Sequence, residues 1–252
     1  GMLIKEGAAT AFTYKDDLAK LLRFESTALD AGKLTGLDDY MDRMASDQNE
    51  ILFLFGKSRE SIEAGPYLEA MKARGIEVLL CTEPVDEYVM QTIREYKEKK
   101  IISADSDEVK LEKIDQDDEK ETLGKKETKS LCKWLKESLK EKISDVETGD
   151  RLIDSPVCIV GADGMGGASA RRVMKMMQGP EGGMPAPSMK LQVNPKNAII
   201  RGLAALKDKD EPTAQLVANQ LLDNALASAN LLDDPKEMIA RSYQTLEKIT
   251  SS

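Results

Sequence analysis

Three short strand-forming segments constrain this chain more than any other feature: the apolar run ILFLFG (51–56), then IEVLLC (76–81) and KKIISA (99–104). A strand covered on both faces reads as a continuous apolar run, whereas one with a wet face alternates. Between the first two runs, SRESIEAGPYLEAMKARG (58–75) has helical texture, with Ser58 placed as an N-cap and Gly75 as a stop. VDEYVMQTIREYKEKK (85–100) predicts a second helix ahead of the third run. The order β-α-β-α-β, with helices as the connections, implies a small parallel sheet with right-handed crossovers.

The flanks read differently. KDDLAKLLRFESTAL (15–29) carries Leu18, Leu21, Leu22, Phe24 and Leu29 at spacings that mostly suit one helix, broken at Ala31-Gly32-Lys33. LTGLDDYMDRM (34–44) predicts a short helix with Leu37, Tyr40, Met41 and Met44 on one side. Residues 105–128 are mostly charged and read as a solvated linker. KSLCKWLKESLKEKI (129–143) predicts an amphipathic helix using Leu131, Trp134, Leu135 and Leu139. DVETGDRLIDSPVCIVGADG (145–164) predicts two strands and MKLQVNP (189–195) another, followed by PKNAIIRGLAALK (195–207), a helix opened by Pro195.

PTAQLVANQLLDNALASANLL (212–232) sets Leu216, Gln220, Asp223/Asn224 and Ala227 on one line, with Val217, Leu221, Ala225 and Ser228/Ala229 on a second. The second line is small and apolar, suited to close helix packing. Asp234-Pro235-Lys236-Glu237 opens a final helix with an N-cap, Pro at N1 and Glu at N3. Its stripe is Ile239, Tyr243, Leu246 and Ile249. Two such helices bury little alone, so they are expected to complete a four-helix bundle with a second copy, through Leu216, Val217, Leu221, Ala225, Leu231, Ile239, Tyr243 and Leu246. The expected fold class is α/β and α+β. A helical segment (10–48) and a small three-layer α/β/α subdomain (49–104) make up 1–104; then come a charged linker (105–128) and an α+β dimerisation domain (129–252).

Composition removes several chemistries. The net charge of −9 argues against a nucleic-acid binder. No apolar run approaches the ~20 residues that span a bilayer, so no membrane partner is expected. The chain has no His, the commonest general base and zinc ligand. Cys81, Cys132 and Cys158 are scattered and odd in number, which fits a reducing compartment. LFLFGKS (52–58) resembles the end of a phosphate-binding loop, but the required earlier Gly is Ile51. CIVGADGMGGASARRVM (158–174) resembles a dinucleotide loop, but its sixth position is Ser169. The acidic pairs Asp16-Asp17, Asp38-Asp39, Asp117-Asp118 and Asp233-Asp234 sit at helix starts or in charged runs, where capping and solvation explain them. No catalytic, cofactor or metal residue is expected here.

One stretch is left over. RRVMKMMQGPEGGMPAPSM (171–189) holds five of the 12 methionines, with Met165 just upstream. Helix core plus a loop is the plain explanation. Methionine is also unbranched and polarizable, so an exposed Met-rich surface repacks against apolar partners of many shapes. Met174 and Met177 share a helical face, Arg171, Arg172 and Lys175 occupy other positions, and the Gly/Pro-rich continuation keeps Met184 out of a fixed core. A promiscuous polypeptide binder would use such a segment.

Those residues and their neighbours carry a resemblance to the heat-shock protein 90 chaperone family. LLRFESTAL, LTGLDDYMDRM, ILFLFGKSRE, GPYLEAMKARGIEVLLCTEPVDEY, REYKEKKIIS, RLIDSPVCIV, LQVNPKNAII and LLDNALASANLLDDPKEMIAR all match, in order. The stretch resembles the end of the middle domain plus the C-terminal dimerisation domain. MGGASARRVMKM and LVANQLLDNALASANLLDDPKEM look most like the mitochondrial, tumour-necrosis-factor-receptor-associated branch. The resemblance implies a homodimeric chaperone for unfolded or partly folded clients. It also implies that ATP, Mg and the hydrolytic machinery belong to the full-length protein, with no cofactor and no enzymatic activity in this stretch. The ending Thr250-Ser251-Ser252 implies no docking tail for tetratricopeptide co-chaperones. The branch implies the mitochondrial matrix, with the cytoplasm as the alternative. The client-contacting tryptophan of cytosolic members falls near Gly166, leaving Met165, Met174 and Met176 or Met177 to take over, beside Arg171, Arg172 and Met184. Two other readings compete: an α/β enzyme holding a nucleotide cofactor on the small parallel sheet, and a purely structural dimerisation adaptor.

Overall fold

The computed structural model describes residues 15–111, 121–161, 172, 189–232 and 234–250. They divide into two compact units. One holds the residues up to 110 together with Arg172; the other holds 111–161 and 189–250.

The first unit runs α1 (Lys15–Ala19), β1 (Glu25–Ser26), α2 (Leu37–Arg43), β2 (Glu50–Phe55), α3 (Arg59–Glu63), α4 (Tyr67–Ala73), β3 (Leu79–Cys81), α5 (Pro84–Ile93), β4 (Glu95–Tyr96) and β5 (Lys99–Ser103). The three strand-forming segments make the parallel centre of one sheet. β2 pairs with β3 through Phe53 opposite Leu79, and with β5 through Ile51 opposite Ile101. Short antiparallel strands flank them, giving the order β1-β3-β2-β5-β4. Ile51, Phe53, Leu79 and Cys81 pack with Leu37, Tyr40, Val89, Met90 and Ile93 in one core. Tyr40 is its polar tie. The hydroxyl donates to the Glu77 carbonyl (2.8 Å) and accepts from the Leu52 N–H (3.1 Å), fixing α2 to the centre of the sheet. Burial pushes its pKa up to about 12.

Three segments depart from the sequence reading. The helix expected over 15–29 ends at Ala19, and Glu25–Ser26 becomes an edge strand on β3. Leu22, Phe24 and Ser26 are buried while Arg23 is exposed, a period of two. The helix expected over 58–75 is two helices parted at Ala64-Gly65-Pro66, because proline offers no N–H to continue the ladder. Its ends are as expected: the Ser58 hydroxyl accepts from the Ser61 N–H, and Gly75 adopts φ +66. The helix expected to continue to 100 stops at Ile93. Arg94 turns left-handed, and β4 and β5 form a hairpin around Lys97 (φ 46) and Glu98 (φ 66). Positive φ at both central residues matches the twist of paired strands. The buried Tyr96 ring anchors the hairpin, its hydroxyl donating to Asp38 (2.8 Å).

Gly56 explains the apparent phosphate-loop ending. A Cβ there would lie 2.4 Å from Ile62 Cγ1, so the strand-to-helix turn requires glycine for close approach.

The second unit runs α6 (Lys125–Leu139), β6 (Asp145–Thr148), β7 (Val157–Gly161), β8 (Met189–Val193), α7 (Ala198–Lys209), α8 (Glu211–Ser228) and α9 (Pro235–Thr250). Its sheet has the order β6-β8-β7, with β8 parallel to β6 and antiparallel to β7. β8 alternates buried Met189, Leu191 and Val193 with Lys190 and Gln192, as a strand covered on one face should. α6 buries Leu131, Leu135 and Leu139, four apart, and starts earlier than expected, at Lys125. α7 is capped by Asn197, whose side chain accepts from the Ile199 N–H (2.8 Å); Pro195 lies outside it. Asp210 is at once the last cap of α7 and the first of α8. Both units are mixed α and β. The four-helix bundle expected across a dimer is not part of this single chain. No helix among the described residues is long and apolar enough to cross a membrane.

Candidate functional site

The first charged constellation is buried in the first unit. Glu87 lies in the first turn of α5, an end of the helix where its own backbone dipole favours an anion. Asp105 follows β5, and its Oδ1 accepts from the Ser103 hydroxyl at 2.7 Å. Arg172 enters between them. Its Nε reaches Glu87 Oε1 and Oε2 at 2.8 and 3.1 Å, while Nη2 reaches Glu87 Oε1 at 2.6 Å and Asp105 Oδ2 at 2.8 Å. The side chains are 6, 0 and 1 % exposed for Arg172, Glu87 and Asp105. The Phe55 ring lies 5.8 Å from the guanidinium carbon. Burial alone would lower the Arg172 pKa, but the Asp105 and Glu87 charges overcome it and hold the guanidinium ionised. A fork held by two carboxylates has the geometry that offsets the cost of burying charge.

Arg172 was expected among the client-contacting residues of the Met-rich basic segment; the structure buries its side chain inside the first unit. The opening of the predicted solvated linker is likewise buried, at Asp105 and Ser106. Met165, Arg171, Met174, Met176, Met177 and Met184 lie outside the described residues.

The second constellation joins the last two helices. α8 buries Ala214, Ala218, Leu221, Leu222 and Ala225, and packs against α6, α7, β7 and α9. It also buries Asp223, which accepts from Arg241 Nε of α9 (2.6 Å) and lies 3.8 Å from Lys142 Nζ. α9 buries none of its residues. Ile239, Tyr243, Leu246 and Ile249 are 49, 63, 53 and 65 % exposed. They recur every three or four residues, on one helical face.

The expected interface residues therefore separate into two groups. Leu221, Ala225 and Leu231 are buried within the chain itself, Leu216 and Val217 are half-buried, and Ile239, Tyr243 and Leu246 remain exposed. Sequence reading missed Glu87, Asp105 and the Asp223–Arg241 pair. Glu87 had a signal, because it stands three residues before the apolar Met90, on the same side of the helix. Asp105 had none, since the charges around it hide it.

Cys81 and Cys158 are buried, and burial, helped by the Asp145 charge, pushes the Cys132 thiol pKa up, away from the reactive thiolate. No cluster of three or more potential metal ligands occurs among the described residues.

The chain thus has two mixed α and β units, the second ending in a helix with an exposed apolar stripe. Comparison with known proteins gives its family. The family model for Hsp90 protein matches residues 1–252, and the chain belongs to that family. It is 39% identical to Chaperone protein HtpG of Desulfotalea psychrophila, covering 100% of this chain and 41% of that protein. It is also 39% identical to Chaperone protein HtpG of Desulfitobacterium hafniense, over 98% of this chain and 40% of that protein. Heat shock protein 75 kDa, mitochondrial, of Bos taurus is 38% identical over 98% of this chain and 36% of its own length. The chain thus spans about two-fifths of the bacterial relatives it matches. Bacterial and mitochondrial relatives are alike in identity, at 39% and 38%, so identity alone assigns no compartment.

Proposed function

We propose that this chain is the dimerising, client-holding portion of an Hsp90-type chaperone, matching the end of the middle domain and the C-terminal domain. The observation that carries the reading is the bare apolar face of α9 in a chain of this family. A helix that buries nothing of its own and is apolar on one side gains its stability from a partner. A second copy supplies the same face by two-fold symmetry. Unfolded clients are held by the methionines of the 165–184 segment. ATP and Mg act in the whole chaperone, on residues beyond this stretch.

Sedimentation tests the dimer. Tyr243→Glu with Leu246→Glu should shift the chain to monomer while leaving its circular dichroism unchanged; a persistent dimer would place the interface elsewhere. Leu221→Arg is a poor probe, because Leu221 belongs to the protomer's own core. Client holding is tested by replacing Met174, Met176, Met177 and Met184 with Ser, which should abolish suppression of client aggregation in an intact dimer. The reading retains the mitochondrial branch, supported by MGGASARRVMKM and LVANQLLDNALASANLLDDPKEM. Tagged in its own cells, the whole protein should colocalise with a matrix marker; a cytoplasmic signal would remove that part.

A further inference from the structure

The outer side of α6 carries a feature that neither packing nor capping explains. Lys126, Lys129, Lys133, Lys136 and Lys140 recur at intervals of three and four residues, the spacing that keeps side chains on one face of a helix. Leu131, Leu135 and Leu139 occupy the buried face. All five lysines are exposed, and so is Lys125 at the start of the helix. At 1.5 Å per residue the stripe is about 21 Å long. Lys136 pairs with Asp145 at 3.0 Å, and Lys140 lies 3.9 Å from Glu137. Lys125, Lys126, Lys129 and Lys133 form no ion pair among the described residues. Residues 125–142 hold seven lysines, three glutamates and no arginine, in a chain whose net charge is −9. Like charges three and four residues apart on a helix repel one another, so the stripe destabilises α6 unless an anion lies along it.

Geometry narrows the partner. Lysine offers a mobile point charge where arginine offers a planar fork, so the stripe reads charge density and not the shape of one anion. An extended polypeptide advances about 3.3 Å per residue and turns alternate side chains to one side. About six extended residues therefore match the length of the stripe, with alternate carboxylates facing the lysines. Glu127, Glu137 and Glu141 are exposed on the flank of the same helix segment. A bilayer or a duplex is broad and would meet these glutamates together with the lysines, whereas a single strand of polypeptide follows the lysines alone.

We propose that the outer face of α6 is a docking stripe for an extended polypeptide segment rich in Asp and Glu. It uses no residue of α9 and none of the methionines. The proposal thus goes beyond the dimer and client readings and is tested apart from them.

Fluorescein-labelled deca-glutamate would be titrated against the 252-residue chain by anisotropy at 0.1 M salt, where the screening length of about 10 Å is half the length of the stripe. K126Q/K129Q/K133Q removes three exposed charges and keeps good helix formers. It should weaken binding about tenfold, the scale of three exposed charge pairs, with circular dichroism unchanged and the melting temperature no lower. K57Q/K110Q/K209Q removes as much charge from exposed lysines elsewhere, and should bind within about twofold of wild type. Raising the salt to 0.3 M should weaken wild type more than K126Q/K129Q/K133Q.

No binding by wild type, or binding that K126Q/K129Q/K133Q leaves intact, would overturn the stripe. Equal losses in the two triple variants would overturn it too, because net charge alone would then attract the peptide. Phosphatidylserine vesicles and duplex RNA are the competing probes. A preference for either that K126Q/K129Q/K133Q abolishes would give the lysines to a membrane or a nucleic acid and remove the polypeptide. Should the triple variant not fold, K129Q and K133Q singly decide the matter, each weakening deca-glutamate binding about twofold.

Discussion

α8 and α9 are adjacent, of similar length and each opened by an aspartate, yet one is saturated and the other bare. α8 is enclosed by α6, α7, β7 and α9, and even its buried carboxylate has a cation. α9 is held to it through Arg241 and the turn between them, with its apolar stripe in water. The hydrophobic effect rewards any burial of such a stripe, whichever chain supplies the cover. Both helices repeat apolar residues at helical spacing, so the pattern by itself does not distinguish a helix covered within the chain from one left bare. What separates them is whether their neighbours in the same chain already satisfy them.

That contrast can be broken in graded steps. Leu222→Ala, deep in α8, should cost about 2–5 kcal/mol as a cavity forms, seen as a lower urea midpoint; a smaller loss would mean that α8 is packed more loosely than its burial implies. Arg241→Met takes from the buried Asp223 its closest cation partner among the described residues, leaving Lys142 at 3.8 Å, and should cost about 1–3 kcal/mol. Adding Asp223→Met should return much of that loss, because an apolar pair can replace a buried ion pair. Ile239→Ala and Ile249→Ala, on the bare face, should shift unfolding of the dilute monomer by no more than about 0.5 kcal/mol. A large loss there would show that the stripe is covered within the chain.

The smallest effect is electrostatic. The Asp210 carboxyl that caps α8 is held below the ordinary aspartate range by the Thr213 hydroxyl first and the Thr213 N–H second. A depressed folded pKa stabilises the fold above the ordinary value of about 3.9 and is lost as pH falls through the lower one. Asp210→Asn caps without titrating. The stability gap between wild type and this variant should therefore hold steady from pH 8 to 5 and narrow below about pH 4. A gap that widens in acid would contradict the hydrogen bonding at that cap.

Much of the architecture was legible, for specific reasons. Continuous apolar runs located the parallel strands, because burial on both faces leaves no room for polar residues. Ser58, Gly75 and Asp234 marked helix ends through their caps. The Lys97-Glu98 turn was hidden, since it adopts positive φ without the Asn or Gly that signals such turns. Glu25–Ser26 was hidden because a two-residue edge strand exists only through its pairing with β3. The triad was hidden for a deeper reason. An arginine in a basic, Met-rich run looks solvated, and only contacts over 67 and 85 residues reveal that it is buried. Among the proposed interface positions, the stripe of α9 was legible by period, whereas Leu221 and Ala225 share that period with an ordinary core.

Asp210 joins α7 to α8 with no residue to spare. Surface connections usually tolerate insertions, but an added residue here has no loop to occupy, and if it is taken into α8 it rotates everything beyond it by about 100° and advances it by about 1.5 Å. Asp223 would swing away from Lys142, and Leu222 would leave the core it fills. At this corner the number of residues is as strict a specification as their identity, so lengthening the loop by a single amino acid should be more damaging than replacing the aspartate outright.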